Sequence, residues 1–272
     1  MRNKILCYPS KVSFPSISIT GEDCNFSCIH CNRKYLKFMM HVPQENLYEK
    51  AIELENRGTK GILVSGGLDK SGRVPIDYSI LRKIKIDTKL MINLHSGLLR
   101  REDAKEIKNS KIDVVSVDFV GSNDTIKNIL KVPFKVSDYE DTVRFLIEEE
   151  VNVVPHICVG LDKGKVIGEY NAVEILKRYP IKSLTLLVLI KNELEKTGSI
   201  IYDIQSIKDF FTYTRNSFPG AKISLGCMRP RIKELDEIAL IFDNIVNPTK
   251  NMIKLIRNEG NVTVKEICCS LC

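Results

Sequence analysis

Cys24-Asn25-Phe26-Ser27-Cys28-Ile29-His30-Cys31 is the stretch that decides how this chain is read. Its three cysteines stand at i, i+4 and i+7. A structural zinc site closes on four ligands, commonly from two C-x-x-C units, and this stretch holds one such unit. Three thiolates at this spacing instead suit one iron–sulfur cube whose fourth iron has no protein ligand. The residues just before it, Pro15-Ser16-Ile17-Ser18-Ile19-Thr20-Gly21, alternate polar and apolar and end in glycine. That is a short strand running into a loop. A partial zinc site or three plain buried thiols are the competing readings, and neither calls for that strand-to-loop context.

A C-x-x-x-C-x-x-C loop after an N-terminal strand resembles the signature of radical S-adenosylmethionine (SAM) enzymes. The resemblance implies a [4Fe–4S] cluster on Cys24, Cys28 and Cys31, with SAM on the open iron. These enzymes often carry an aromatic residue just before the third cysteine, near the adenine. Here it is His30, which can stack or can hydrogen-bond a cluster sulfur.

The rest of the chain fits a large α/β domain. With 272 residues and 43% hydrophobic content it can bury a sizeable core, which argues against global disorder. Forty-one Lys+Arg against 34 Asp+Glu give a net charge of +7, spread along the chain rather than gathered in a tail. No basic run interleaves with aromatics, so no nucleic-acid partner is expected. The longest apolar run, 184–190, is too short for a membrane span, and the N-terminal residues lack the apolar core of a signal peptide. Nine cysteines, an odd number clustered by motif, argue against a disulfide framework and for a cytoplasmic protein with reduced thiols.

Strand-like runs alternate with helical patterns. Strands are predicted at 16–20, 61–65, 90–94, 114–118, 152–158, 183–190, 222–225 and 244–246. Helices are predicted between them, among others at 45–57, 138–150, 166–179 and 204–217. Eight such units predict a (β/α)8 TIM-type barrel, possible also in an incompletely closed form, over residues 1–260. Residues 261–272 read as a separate cysteine-bearing C-terminal tail.

In a barrel of this type the chemistry sits at the C-terminal ends of the strands. The second predicted strand ends in Ser65-Gly66-Gly67. The resemblance implies a Gly-Gly-Glu-like motif here that holds the SAM amino group, but Leu68 replaces the Glu, and an ordinary βα turn is the plain alternative. His95 ends the third strand and either donates to SAM or a substrate carboxyl, or simply caps and packs. Ser116 and Asp118 share one face of the fourth strand and suit ribose hydroxyls or the SAM carboxylate, with N-capping as the alternative for Asp118. Gly160 and Leu161, after Pro155-His156-Ile157-Cys158-Val159, resemble the segment that passes beside the adenine.

The remaining cysteines suggest a second site. Cys227 follows a strand end beside Arg229 and Arg231, which would lower its thiol pKa. The tail supplies Cys268, Cys269 and Cys272, and Cys7 flanks the first strand. Exposed thiols near a fraying terminus would be tied down by a metal. A second, auxiliary iron–sulfur cluster is therefore expected from Cys7, Cys227 and two of the three tail cysteines, while Cys158 is expected to be buried on its strand, with a ligand role inside the barrel as the alternative.

Ser65-Gly66-Gly67 with Arg73-Val74-Pro75, His95-Ser96-Gly97-Leu98, Pro155-His156-Ile157 and Leu225-Gly226-Cys227-Met228-Arg229-Pro230 together resemble the biotin- and lipoyl-synthase branch. The pattern is most similar to the two-subunit, archaeal-type lipoyl synthases. That resemblance implies sulfur insertion into a protein-bound octanoyl chain, with an octanoylated lipoyl-carrier protein as substrate. It also implies a homologous radical SAM partner subunit and an external reductant such as ferredoxin. A radical SAM enzyme of the same branch acting on another small molecule, or an iron–sulfur electron carrier without catalysis, are the alternatives. The chain departs from the branch around 193–198 and 244–248.

Overall fold

All eight strands form where the alternation placed them, and three more join them in one parallel sheet. The computed structural model describes residues 3–190 and 202–272, so the departure at 193–198 lies outside the described residues. The strands are β1 (Lys4–Cys7), β2 (Ser16–Ser18), β3 (Met40–His41), β4 (Gly61–Ser65), β5 (Met91–His95), β6 (Val114–Asp118), β7 (Val153–Val159), β8 (Ser183–Val188), β9 (Lys222–Leu225), β10 (Asn244–Val246) and β11 (Val262–Lys265). Their order is β11-β1-β10-β9-β8-β7-β6-β5-β4-β2-β3. The sheet curls into an incompletely closed barrel with β11 and β3 as its edges. Segment 13–15, just before β2, extends the β2–β4 ladder, with Lys60 N donating to Ser13 O and Leu63 N to Pro15 O. The exposed pair Lys60–Glu266 lies on the same side at 2.7 Å.

Helices cross between the strands. They are α1 (Leu47–Asn56), α2 (Tyr78–Asp87), α3 (Arg101–Asn109), α4 (Asn123–Thr125, continued by a π turn Ile126–Leu130), α5 (Val136–Glu148), α6 (Glu169–Leu176), α7 (Ile204–Ser217) and α8 (Lys250–Glu259). Four of the eight open on a side-chain cap: Asp77, Ser122, Asp203 and Thr249 each accept from a backbone N–H of the first turn.

Side-chain alternation along the strands separates two layers. Ile62, Val64, Ile92, Leu94, Val115, Val117, Ile157, Val159, Leu184, Leu186, Ile223 and Ile245 face outward into the main hydrophobic core under the helices. The alternate positions face the lumen and include many polar residues, the buried Ser65, Asn93, Ser116, His156, Thr185, Ser224 and Asn244 and the half-buried His95, beside apolar ones such as Leu63 and Cys158. A dry barrel interior would be filled by branched apolar side chains. This one is built to hold polar groups.

Residues 261–272 continue this architecture. β11 pairs in parallel with β1, from Lys4↔Val262 to Cys7↔Lys265. The chain then turns into the lumen as a short 3-10 turn, Cys269–Leu271, against β6, β8, β9 and β10.

Candidate active site

The cysteine loop leaves β2 through Gly21, whose φ of +61° suits a residue without Cβ. Ser18 Oγ donates to Gly21 O at 2.6 Å and Thr20 Oγ1 donates to Asp23 O at 3.0 Å, which fixes the entry to Cys24. The loop is pinned to the end of β4: Gly67 N donates to Thr20 Oγ1 at 2.7 Å, Asn25 N donates to Leu68 O at 2.8 Å, and Leu68 N donates to Cys24 Sγ at 3.3 Å. A Cβ on Gly67 would sit 1.8 Å from Asp23 O and 2.6 Å from Cys24 Cβ. The small residues of Ser65-Gly66-Gly67 are thus required here by the close approach of the cysteine loop.

Cys24, Cys28 and Cys31 are half-buried. Burial pushes the Cys28 thiol up to about 12, and its neighbours Cys31 and Cys24 add to the shift. Burial also raises Cys31. Cys28 and Cys31 therefore hold their protons firmly when free, and the positive charge of a bound metal cluster is what would make thiolates of them. Just past them, Asn32 and Arg33 take left-handed backbone, at φ 42° and 60°. His30 Nδ1 is buried without a hydrogen-bond partner, an open valence beside the triad. Burial lowers the His30 pKa, partly offset by Asp118. The donor chemistry of the triad, the Gly67 approach and the unpartnered His30 atom fit a cluster with a small ligand beside it.

The expected SAM contacts lie around this loop at different depths. Ser65 Oγ donates to His95 O at 3.2 Å. Gly160, with φ +76°, starts a turn held by Glu169, whose carboxylate accepts from Gly160 N and Ile167 N at 2.7 Å each. Burial nonetheless raises the Glu169 pKa. Gly121, Cys158, Leu161 and Glu169 line a narrow cleft at the ends of β6 and β7. Asp118 is exposed, with a carboxylate oxygen 3.9 Å from His95 Nε2, while Ser116 is buried and engaged elsewhere. Its hydroxyl bonds Asn93 Oδ1 and Ser270 Oγ, both at 2.8 Å. Burial raises the Cys158 thiol well above its usual range.

The second group of cysteines also converges. Cys7, Cys268, Cys269 and Cys272 are buried together, with Cys227 against them. The structure joins Cys7 to Cys272 as a disulfide, Cα atoms 6.6 Å apart, where reduced thiols were expected. The parallel pairing of β11 on β1 brings the two ends of the described chain side by side and makes that contact. Cys268 and Cys269 sulfurs lie 3.8 Å apart. Cys268 is the more acidic, because Cys269, the Ser270 N–H and Asn93 all point donors at its sulfur. Arg229 and Arg231 were expected to lower the Cys227 thiol. They pull in that direction, but burial outweighs them and the net shift is upward. Arg229 is buried and holds backbone carbonyls instead, donating to Val246 O at 2.8 Å and Asn247 O at 3.1 Å.

Sequence reasoning passed over His156, Asn93 and Ser270. His156 Nδ1 lies 3.4 Å from His95 Nε2, and its Nε2 lies 3.0 Å from Ser270 Oγ. Burial, then the neighbouring His95, lowers the His156 pKa to about 3, so it is neutral. Period-two alternation was the available signal: Asn93 and His95 share a face, as do His156 and Cys158.

A model of the radical SAM superfamily matches residues 18–164. Solved structures agree on the fold. The chain is similar to methylornithine synthase (PylB), at 14% identity and TM-score 0.64, over 98% of this chain and 73% of that one. It is similar to the FeFe-hydrogenase maturase HydG from Carboxydothermus hydrogenoformans, at 14% identity and TM-score 0.66, over 95% and 67%. It is also similar to Streptococcus suis SuiB bound to S-adenosylmethionine, at 10% identity and TM-score 0.62, over 84% of this chain and 52% of SuiB. The chain therefore spans about half the length of SuiB. No curated protein matches the sequence. At these identities the likeness carries the fold, and it does not carry the biotin- and lipoyl-synthase branch read from the motifs.

Proposed function

This chain belongs to the radical SAM superfamily, and on that premise we propose that it acts on a small polar molecule held in the barrel lumen. In this reading Cys24, Cys28 and Cys31 hold a [4Fe–4S] cluster with SAM at its open iron. When bound, the pair supplies one-electron cleavage of SAM and a 5′-deoxyadenosyl radical able to take hydrogen from an unactivated carbon. The chain's own residues position and shield. Gly66 and Gly67 offer backbone at the cluster loop, Gly160 and Leu161 offer the wall of the adenine cleft, and His30 offers its unpaired Nδ1. Glu169 keeps the 160–169 turn in shape by accepting from two backbone N–H groups.

The observation that carries the substrate class is the polar lumen. Among the described residues, Thr185 Oγ1 and Asn244 Oδ1 are buried with no partner, and both sit on lumen-facing strand positions. Buried polar atoms of this kind cost free energy unless something pairs with them. A polar substrate or its waters would, and an octanoyl chain would not.

A second reading rests on the five thiols Cys7, Cys227, Cys268, Cys269 and Cys272. In the reduced protein, four of them would hold an auxiliary iron–sulfur cluster. That cluster would supply sulfur for insertion into an octanoylated carrier protein, with a homologous partner subunit and a reductant such as ferredoxin. One experiment separates the readings. Anaerobically reconstituted protein, SAM and dithionite are incubated with free amino acids or with octanoylated carrier protein, and 5′-deoxyadenosine is measured. Stimulation by a small polar compound supports the first reading. Stimulation by the octanoylated carrier alone, with sulfur incorporated, replaces it with the second.

A further inference from the structure

We propose that His95, Asp118 and His156 form a divalent metal site in the lumen, separate from both cysteine groups. His95 Nε2, an Asp118 carboxylate oxygen and a ring nitrogen of His156 lie within 4.8 Å of one another. The two imidazole nitrogens are 3.4 Å apart, and His95 Nε2 is 3.9 Å from Asp118 Oδ1. Two ligands bound at about 2.1 Å in a tetrahedral shell stand about 3.4 Å from each other. Two imidazoles and one carboxylate suit first-row divalent ions such as Fe²⁺, Co²⁺ or Zn²⁺, and leave coordination positions open.

The hydrogen-bond chain behind the site prepares His156 for that role. Asn93 Nδ2 donates to Cys268 Sγ at 3.1 Å, so Asn93 Oδ1 is the acceptor for Ser116 Oγ at 2.8 Å. Ser116 has then used its one proton, so the 2.8 Å contact with Ser270 is a donation from Ser270. Ser270 in turn has no proton left for His156, so His156 Nε2 is the donor in the 3.0 Å contact. A neutral His156 therefore carries its lone pair on Nδ1, the nitrogen facing His95. This is the arrangement that orients metal-binding histidines: one nitrogen donates to an outer partner and the other is free to coordinate. Three strands and the tail build it, from β5 (His95, Asn93), β6 (Ser116, Asp118), β7 (His156) and Ser270.

The open positions face the mouth, where the Asp118 side chain is 63% exposed. They would take a substrate oxygen, from a carboxylate or hydroxyl, below the cysteine loop. The site places His95 and Asp118 on a metal rather than on SAM. It does not rest on the substrate reading above, and 5′-deoxyadenosine formation reports on that reading separately.

The test uses the full chain with its clusters loaded. Zinc is added, excess is removed, and bound zinc is counted by mass spectrometry and characterised by X-ray absorption at the zinc edge. The expected result is one zinc per chain in a nitrogen/oxygen shell at about 2.0–2.1 Å with imidazole scattering. His95→Ala and His156→Ala should each lower zinc affinity at least tenfold with the iron count unchanged. Ser270→Ala, which leaves all three ligands in place, should lower it about tenfold. If His156→Ala does not fold, Asp118→Asn, on an exposed side chain, gives the same readout. A sulfur shell at about 2.3 Å, zinc retained by the His95→Ala and Asp118→Asn variants, or no zinc bound by the unsubstituted chain each overturns the proposal.

Discussion

Two groups of cysteines face the same barrel, and they are built in opposite ways. Cys24, Cys28 and Cys31 come from eight consecutive residues in a half-buried loop. Cys7, Cys227, Cys268, Cys269 and Cys272 come from three distant segments, with Cys7 and Cys272 separated by 265 positions, and the tail members are buried. The first group's geometry is local, set by a turn, Gly21 and the close approach of Gly67. The second group's geometry is tertiary and exists only once β11 has paired with β1 and the tail has entered the lumen. A local motif can be read from spacing, whereas a tertiary one can only be nominated.

The contrast sets the order of the expected effects. Replacing Cys24, Cys28 and Cys31 together with Ala should abolish 5′-deoxyadenosine formation and remove about half of the iron, if each group holds one cubane. Replacing Cys268, Cys269 and Cys272 should remove the other half while SAM cleavage continues, measured on the same preparations. Equal loss of SAM cleavage in both would break the distinction between the groups.

Gly67→Ala acts on the local group without touching a sulfur. Its Cβ would collide with Asp23 O, so the loop must shift, and SAM affinity by equilibrium dialysis should fall at least tenfold, about 1.4 kcal/mol. Glu169→Gln keeps the shape of the side chain but can turn a donor toward the Gly160 and Ile167 N–H groups. It should lower thermal stability by about 1–2 kcal/mol and weaken SAM severalfold. The smallest effect is expected from Lys60→Ala. Its partner Glu266 lies just before the tail cysteines, but both side chains are about half exposed, so thermal stability should change by about 0–1 kcal/mol.

What the sequence made legible follows the same division. The eight alternating strands and the barrel were readable because each strand's apolar face is written into period two, as in Ile62/Val64 and Ile92/Leu94. β1, β3 and β11 were not, because they are short edge or near-edge strands whose pairing is decided by distant partners, β1 with β11 and β3 with β2. The triad was readable as a unit. Cys7, Cys227, Cys268, Cys269 and Cys272 could be nominated as a group, and the structure brings these five thiols together. Cys7 bonding Cys272 and the burial-raised Cys227 thiol were not legible, since the first depends on β11 pairing with β1 and the second on depth, neither of which is set by neighbours in sequence. His156 escaped for a related reason. A histidine inside an otherwise apolar strand reads as packing until the facing strand supplies His95 at 3.4 Å.

The central claim is that the Cys24–Cys28–Cys31 loop holds the cluster at which SAM is cleaved, apart from the tail cysteines. Mössbauer spectroscopy of ⁵⁷Fe-loaded protein, with and without SAM, tests it most directly. SAM should perturb one iron of one cluster in the unsubstituted chain and in the Cys268/Cys269/Cys272 variant, and perturb nothing in the Cys24/Cys28/Cys31 variant. A SAM-dependent iron site that survives loss of the triad, or that vanishes with the tail cysteines alone, would contradict the account.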